Sequence, residues 1–197
     1  MKDSDDPDFE LVDCPQESYY SLIMECMHSC TPAYMRASWL QDAIQQFIAT
    51  AQDPKPALVP GSLTGHASMS DIKRLLRSHA VVVFPVVLSG LIPHMTVVIA
   101  DKARKRILYY NPTGTTPLHE ARPIKNVKSK MGILQLLHTM SLLSGCEVLY
   151  SPLREQRWAL ACGAYCMYFI ERAVLYPDLL TLLPLSALVW HHELVAP

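Results

Sequence analysis

No stretch of this chain approaches the about 18 uninterrupted apolar residues that a membrane-crossing helix needs. The most apolar run, residues 179–189, is short and carries Pro184, so it reads as a buried C-terminal segment. A basic surplus is missing as well. The 17 Lys and Arg against 18 Asp and Glu leave a formal net charge of -1, which points to neither a nucleic acid nor an anionic bilayer as partner. Residues 1–7 (MKDSDDP) are acidic and polar, unlike the basic and then apolar start of a secretory signal. Internal repeats and low-complexity tracts are absent. Among the six cysteines, Cys26 and Cys30 flank His28 but have no second pair at zinc-finger spacing. They read as thiols on one helix or core face, and no metal or other cofactor is expected. Without a signal sequence the expected setting is reducing, with free thiols rather than disulfides. That means cytoplasm or nucleus, or the host cytosol for a protein of a pathogen or virus.

What is present is core-forming material. Half of the 197 residues are hydrophobic and only 18% are charged, which suits one folded domain and excludes disorder across the whole chain. A polar leader over residues 1–15 and a single domain over residues 16–197 are expected, acting as a monomer. Helical spacing covers residues 17–27 and, more strongly, 34–51. There Trp39, Leu40, Ala43, Ile44, Phe47 and Ile48 share one face, with Ser38 as the expected N-cap. Residues 52–65 form a Pro- and Gly-bearing loop, residues 71–78 a short helix, and residues 80–88 a strand in which Pro85 implies an edge or a bulge. A strand after His94, a charged tip over 101–105 and a return over 106–110 make a hairpin that closes in the turn at 111–114. Residues 132–144 are helical, 147–150 form a strand, and 159–175 form a helix beginning close to Cys162. The order predicts an α+β domain, with a central, mostly antiparallel sheet flanked by helices.

A thiol attacks a carbonyl only as the thiolate, so a reactive cysteine needs a base, a setting that tolerates the anion, and donors for the oxyanion. Cys162 stands at the start of an apolar helix, where unpaired amides favour negative charge. Gly163 leaves room beside it for a substrate backbone. The hairpin returns Asn111 to the sheet end that holds His94, and an amide oxygen there can orient the imidazole toward a thiol. Gln156, six positions ahead of Cys162, can add a side-chain donor for an oxyanion. Asn111 orients the ring without taking a proton, so Asp at this position is expected to preserve or raise activity.

His94, Asn111 seventeen residues on, and Gln156 ahead of Cys162-Gly163 resemble the ubiquitin-like-specific cysteine proteases of clan CE. That group includes the SUMO proteases and bacterial effector deubiquitinases. Asp101 falls where the family has a hairpin Asp, Tyr110-Asn111 resembles its Tyr-Asp, and Trp39-Leu40-Gln41-Asp42 resembles its Trp-Leu-Asn-Asp. The resemblance runs from about Trp39 to Phe169. It implies a papain-like fold with catalytic order permuted to His94, Asn111, Cys162, and Gln156 beside the oxyanion. It also implies ubiquitin or a ubiquitin-like protein as substrate, its narrow tail threaded past Trp39, Met95, Trp158 and Gly163. On this basis the loop at 52–65 is expected to meet the modifier's folded body.

The chain departs from the pattern at three points. Met95 replaces the tryptophan that roofs the tail tunnel, Asn111 stands where Asp is commoner, and Ala161 replaces the Asp before the nucleophile. The segment ALACGAYCMYF is also similar to the adenovirus maturation protease, which leaves a polyprotein protease as the alternative. A clan CE acetyltransferase and a catalytically inactive binding module are the other readings.

Overall fold

The computed structural model describes residues 37–52, 54–63, 65–128, 130–156, 161–176 and 184–189. The expected leader, the 17–27 helix, Cys14, Cys26, Cys30 and Trp158 lie outside these residues, as does the side chain of Trp39. Among the described residues the protein is an α+β fold, with four helices and a six-stranded mixed sheet. The strands are β1 (Ala57–Leu58), β2 (Val81–Leu88), β3 (His94–Asp101), β4 (Arg106–Tyr110), β5 (Glu147–Tyr150) and β6 (Ser186–Ala187), lying side by side in that order. The central pairs β2–β3 and β3–β4 are antiparallel, as is β5–β6, whereas β1–β2 and β4–β5 are parallel. Helices α1 (Ala37–Thr50), α2 (Met69–Ser78), α3 (Ile133–Ser144) and α4 (Cys162–Leu175) cover the sheet.

Strand alternation divides the core in two. Val82, Phe84, Val86, Val98, Ile107 and Tyr109 pack with Ile72, Leu76, Leu136 and Leu137 of α2 and α3. Their neighbours Val83, Val97, Ile99, Leu108 and Tyr110 pack with Ile44 and Phe47 of α1 and Phe169 and Ile170 of α4. Every residue of β3 and β4 is buried, as expected for strands covered on both faces. Tyr110 stacks flat on Phe169, ring centroids 4.3 Å apart, which ties α4 to the end of β4.

The turn between β3 and β4 is tight, with Lys105 at φ 51. Asp101 accepts the Arg104 amide at 3.2 Å and pairs with Arg106 at 3.4 Å. Pro85 sits opposite Val97 in β2, and on its other side β1 reaches only Val82 and Val83. Beyond β1 the side chain of Asn126 takes over the edge. Its Oδ1 accepts the Val87 N–H at 2.8 Å, and its Nδ2 donates to the Pro85 carbonyl at 2.9 Å and to the Ser62 carbonyl. Proline, which cannot donate, therefore sits where the sheet edge is closed by a side chain.

Several local expectations shift. Helix α1 begins at Ala37, so Ser38 falls inside the helix and is not its N-cap. Helix α2 begins at Met69, capped by Ser68, whose Oγ accepts the Asp71 N–H at 3.1 Å. The segment 52–65 is not simply a loop. Ala57–Leu58 add a strand to the sheet and Val59 and Ser62 are fully buried, because the Val59 amide donates to the Val83 carbonyl at 3.0 Å. Strand β6 is likewise built from a stretch with no alternation to mark it.

Candidate active site

Antiparallel pairing places the start of β3 and the end of β4 at one end of the sheet. Tyr110 pairs with Val97, so Asn111, the next residue, lies by the first residues of β3. His94 Nε2 lies 2.8 Å from Asn111 Oδ1, both side chains buried. The amide oxygen can only accept, so the imidazole carries its proton on Nε2 and leaves a lone pair on Nδ1. Burial pushes the His94 pKa down from the ordinary histidine value, against the hydrogen bond to Asn111. The ring is neutral near pH 7.

Cys162 is the first residue of α4, and its Sγ accepts the Met95 N–H at 3.4 Å. The thiol therefore lies against the peptide that follows His94, although 67 residues separate Cys162 from Met95. Ala161 at the N-cap has no side chain to cap the helix, so the first-turn amides are left to other acceptors. Burial raises the Cys162 pKa, and the N–H groups of Met95, Gly163 and Cys162 itself pull the other way. The resting pair is thus a neutral thiol and a neutral imidazole. Among the described residues Nδ1 of His94 makes no hydrogen bond, to Cys162 or to any other group.

Gln156 is buried, and its loop is clipped to the same turn. The backbone amides of Glu155 and Gln156 both donate to the Pro112 carbonyl, at 3.0 and 2.8 Å. Tyr110 Oη donates to Glu155 Oε2 beside them. Gly114, at φ +73, makes this approach feasible, because a Cβ there would meet Arg154 N and Pro152 O at 2.9 Å. His94, Asn111, Gln156 and Cys162 are therefore held by one sheet end, one turn and one helix start.

No family model matches the chain, and no curated protein matches it.

Of the residues expected along a substrate tail, Gly163 lies buried in the first turn of α4 beside the thiol. Met95 corrects the expectation of a thioether roof. Its side chain is buried in the same cluster as Val97 and Ile99, against which Cys162 also packs, so it does not project as an exposed roof, and its peptide N–H meets the thiol. That peptide is shared, since Cys166 Sγ donates to the Met95 carbonyl at 3.3 Å. Cys166 is fully buried, with its pKa raised by burial, so it is an inert thiol one helical turn behind Cys162.

Sequence reasoning missed a shell behind Asn111. Asn111 Nδ2 donates to Tyr109 Oη and Glu120 Oε2, both at 3.3 Å, and Asn111 Oδ1 also accepts Thr113 Oγ1 at 2.7 Å. Glu120 in turn takes Arg122 Nη2 at 2.7 Å and Nε at 2.8 Å. A glutamate and an arginine two apart in a polar segment carry no mark in sequence that the first is buried. The turn at 111–114 is the one part of this arrangement that the sequence marks.

Proposed function

We propose that this protein is a cysteine hydrolase of papain-like architecture with the order permuted to His94, Asn111, Cys162. Its proposed reaction is cleavage of the peptide or isopeptide bond that follows the tail of ubiquitin or a ubiquitin-like modifier. The observation that carries the reading is the 2.8 Å bond from His94 Nε2 to Asn111 Oδ1 at the sheet end where Cys162 Sγ accepts the Met95 amide. A structural cysteine would need neither a helix start with no side-chain cap nor, next to the peptide it contacts, a histidine fixed in one tautomer by a buried amide.

In this reading His94 Nδ1 takes the Cys162 proton as Sγ attacks the carbonyl carbon. Asn111 holds the ring in the tautomer that can do so and supports the imidazolium that forms. The Cys162 N–H and the Gln156 side-chain amide donate to the oxyanion. The proton then passes from His94 to the leaving amine, and a thioester remains on Cys162. Water, deprotonated by the same ring, attacks the thioester carbonyl and releases the acid and the free thiol. The substrate class rests on the resemblance alone, in the spacing of these residues.

A panel of ubiquitin, SUMO and NEDD8 probes with C-terminal electrophiles tests it. One of them is expected to label wild type at Cys162 and to leave Cys162→Ala unmodified. Cleavage of polyprotein-type peptides without any probe labelling would move the substrate to the viral-type alternative. No labelling and no cleavage of any peptide would end the reading.

A further inference from the structure

The pair formed by Glu120 and Arg122 faces the proposed triad from behind, and no step of the chemistry uses it. Glu120 belongs to the segment between β4 and α3, yet its side chain is only 2% exposed, while that of Arg122 is 36% exposed. Arg122 holds the carboxylate by its guanidinium and by its own backbone N–H, at 3.1 Å. Burial would raise the Glu120 pKa, but the Arg122 hydrogen bonds outweigh it and hold it below the ordinary value, so the group is an anion at neutral pH. An anionic carboxylate offers only acceptors. Whatever Asn111 turns toward it must be a donor.

We propose that Glu120 is a positioning residue. By accepting Asn111 Nδ2 it fixes which way the Asn111 amide points, and so dictates the tautomer of His94 and the need for Asn rather than Asp at position 111. Each link is a hydrogen bond with one allowed direction. Glu120 Oε2 accepts from Asn111 Nδ2 at 3.3 Å, and Asn111 Oδ1 is left to face His94 Nε2 at 2.8 Å. The flipped amide would set its oxygen against the carboxylate and its NH2 against the ring, forcing the proton to Nδ1. His94 would then have no lone pair on Nδ1 with which to take a thiol proton. Thr113 supports the same orientation by donating its Oγ1 and its N–H to Asn111 Oδ1, at 2.7 and 3.1 Å.

The consequence for substitution reverses the expectation from sequence. Asp at 111 would place a second carboxylate oxygen about where Nδ2 now meets Glu120 Oε2. Two carboxylates that close do not both stay ionised without cost. The inference rests on the cysteine hydrolase reading only for its activity arm, because tautomer and stability are measured without turnover.

The experiment compares wild type, Asn111→Asp, Glu120→Gln and the double variant in three measurements. These are thermal midpoint, turnover of the substrate found by the probe panel, and the 15N signals of the His94 ring. Wild type should show the proton on Nε2. Asn111→Asp should melt lower, or fail to fold, and lose roughly tenfold or more in turnover, about the worth of one charged hydrogen bond turned repulsive. Adding Glu120→Gln should restore folding and bring turnover to within a few-fold of wild type, since a glutamine amide at position 120 can donate to the new carboxylate. Glu120→Gln alone should give a mixture of ring tautomers. The proposal is overturned if Asn111→Asp is as stable and as active as wild type, if Glu120→Gln brings no relief to it, or if wild-type His94 carries its proton on Nδ1. If wild type cleaves nothing and Cys162 meets no probe, the hydrolase reading fails, while midpoints and ring signals still judge Glu120.

Discussion

Replacing Asn126 by alanine tests how the sheet that carries His94 is closed at its edge. The Asn126 side chain is bonded to three backbone groups, the Val87 N–H and the carbonyls of Pro85 and Ser62, and the residue is 5% exposed. Alanine strands all three. A buried backbone group left without a partner costs about 1–3 kcal/mol, so with partial repair by water the sum is about 3–5 kcal/mol. For a chain of this size that lowers the melting midpoint by roughly 10 °C. Urea unfolding followed by far-UV circular dichroism should show the loss as a lower transition midpoint at unchanged slope. Asn126→Asp separates the donor role from the acceptor role. Aspartate keeps an acceptor for Val87 but sets an oxygen against the two carbonyls, so it should be no more stable than alanine. A loss below about 1 kcal/mol in alanine would refute the edge-closing argument, because three stranded groups cannot cost so little. An aspartate variant as stable as wild type would show that the Nδ2 bonds do not matter. Since Leu88 at the end of β2 pairs with His94, turnover in the alanine variant should fall as well.

The remaining predictions concern the site. Cys162→Ala should abolish hydrolysis with the fold intact by circular dichroism, whereas Cys166→Ala should keep most of the activity and lose some stability through its bond to the Met95 carbonyl. Gly114→Ala, which forces a Cβ into the backbone of the 152–154 loop, should cost roughly 1–3 kcal/mol in stability and lower kcat by displacing Gln156, with KM less affected. Because the His94 pKa is depressed, the native state resists the proton that the unfolded chain accepts. Stability should therefore hold above about pH 6.5 and fall as the pH drops from there through the folded value, and His94→Gln should flatten that slope. The acid limb of turnover should likewise lie below the ordinary histidine pKa. Burial raises the thiol pKa of Cys162, so at pH 8 its alkylation should be slower in the native protein than in urea; a faster native rate would contradict a neutral resting pair.

What the sequence determined by itself was local and periodic. Short apolar, β-branched and aromatic runs marked β2, β3 and β4, helical spacing marked α1, α3 and α4, and the charged turn at 101–105 joined two strands into a hairpin. A hairpin returns its ends to one place, so His94 and Asn111 were placed together by strand length alone, whereas Cys162 was legible only as the start of a helix, and its contact with the Met95 peptide is tertiary. Short elements were not legible. Strands of two residues such as β1 and β6 have no period to read, and exist because a neighbouring edge offers them hydrogen bonds. The fate of individual side chains was decided only by tertiary structure. Met95 was buried in the core against which Cys162 packs, Asn126 stood in for a missing strand, and Glu120 was buried behind Asn111. Whether a polar residue in a loop is solvated or enclosed depends on what other segments bring to it. Glu120 can be buried only because Arg122 and Asn111 arrive with donors, and no pattern along the chain announces that meeting.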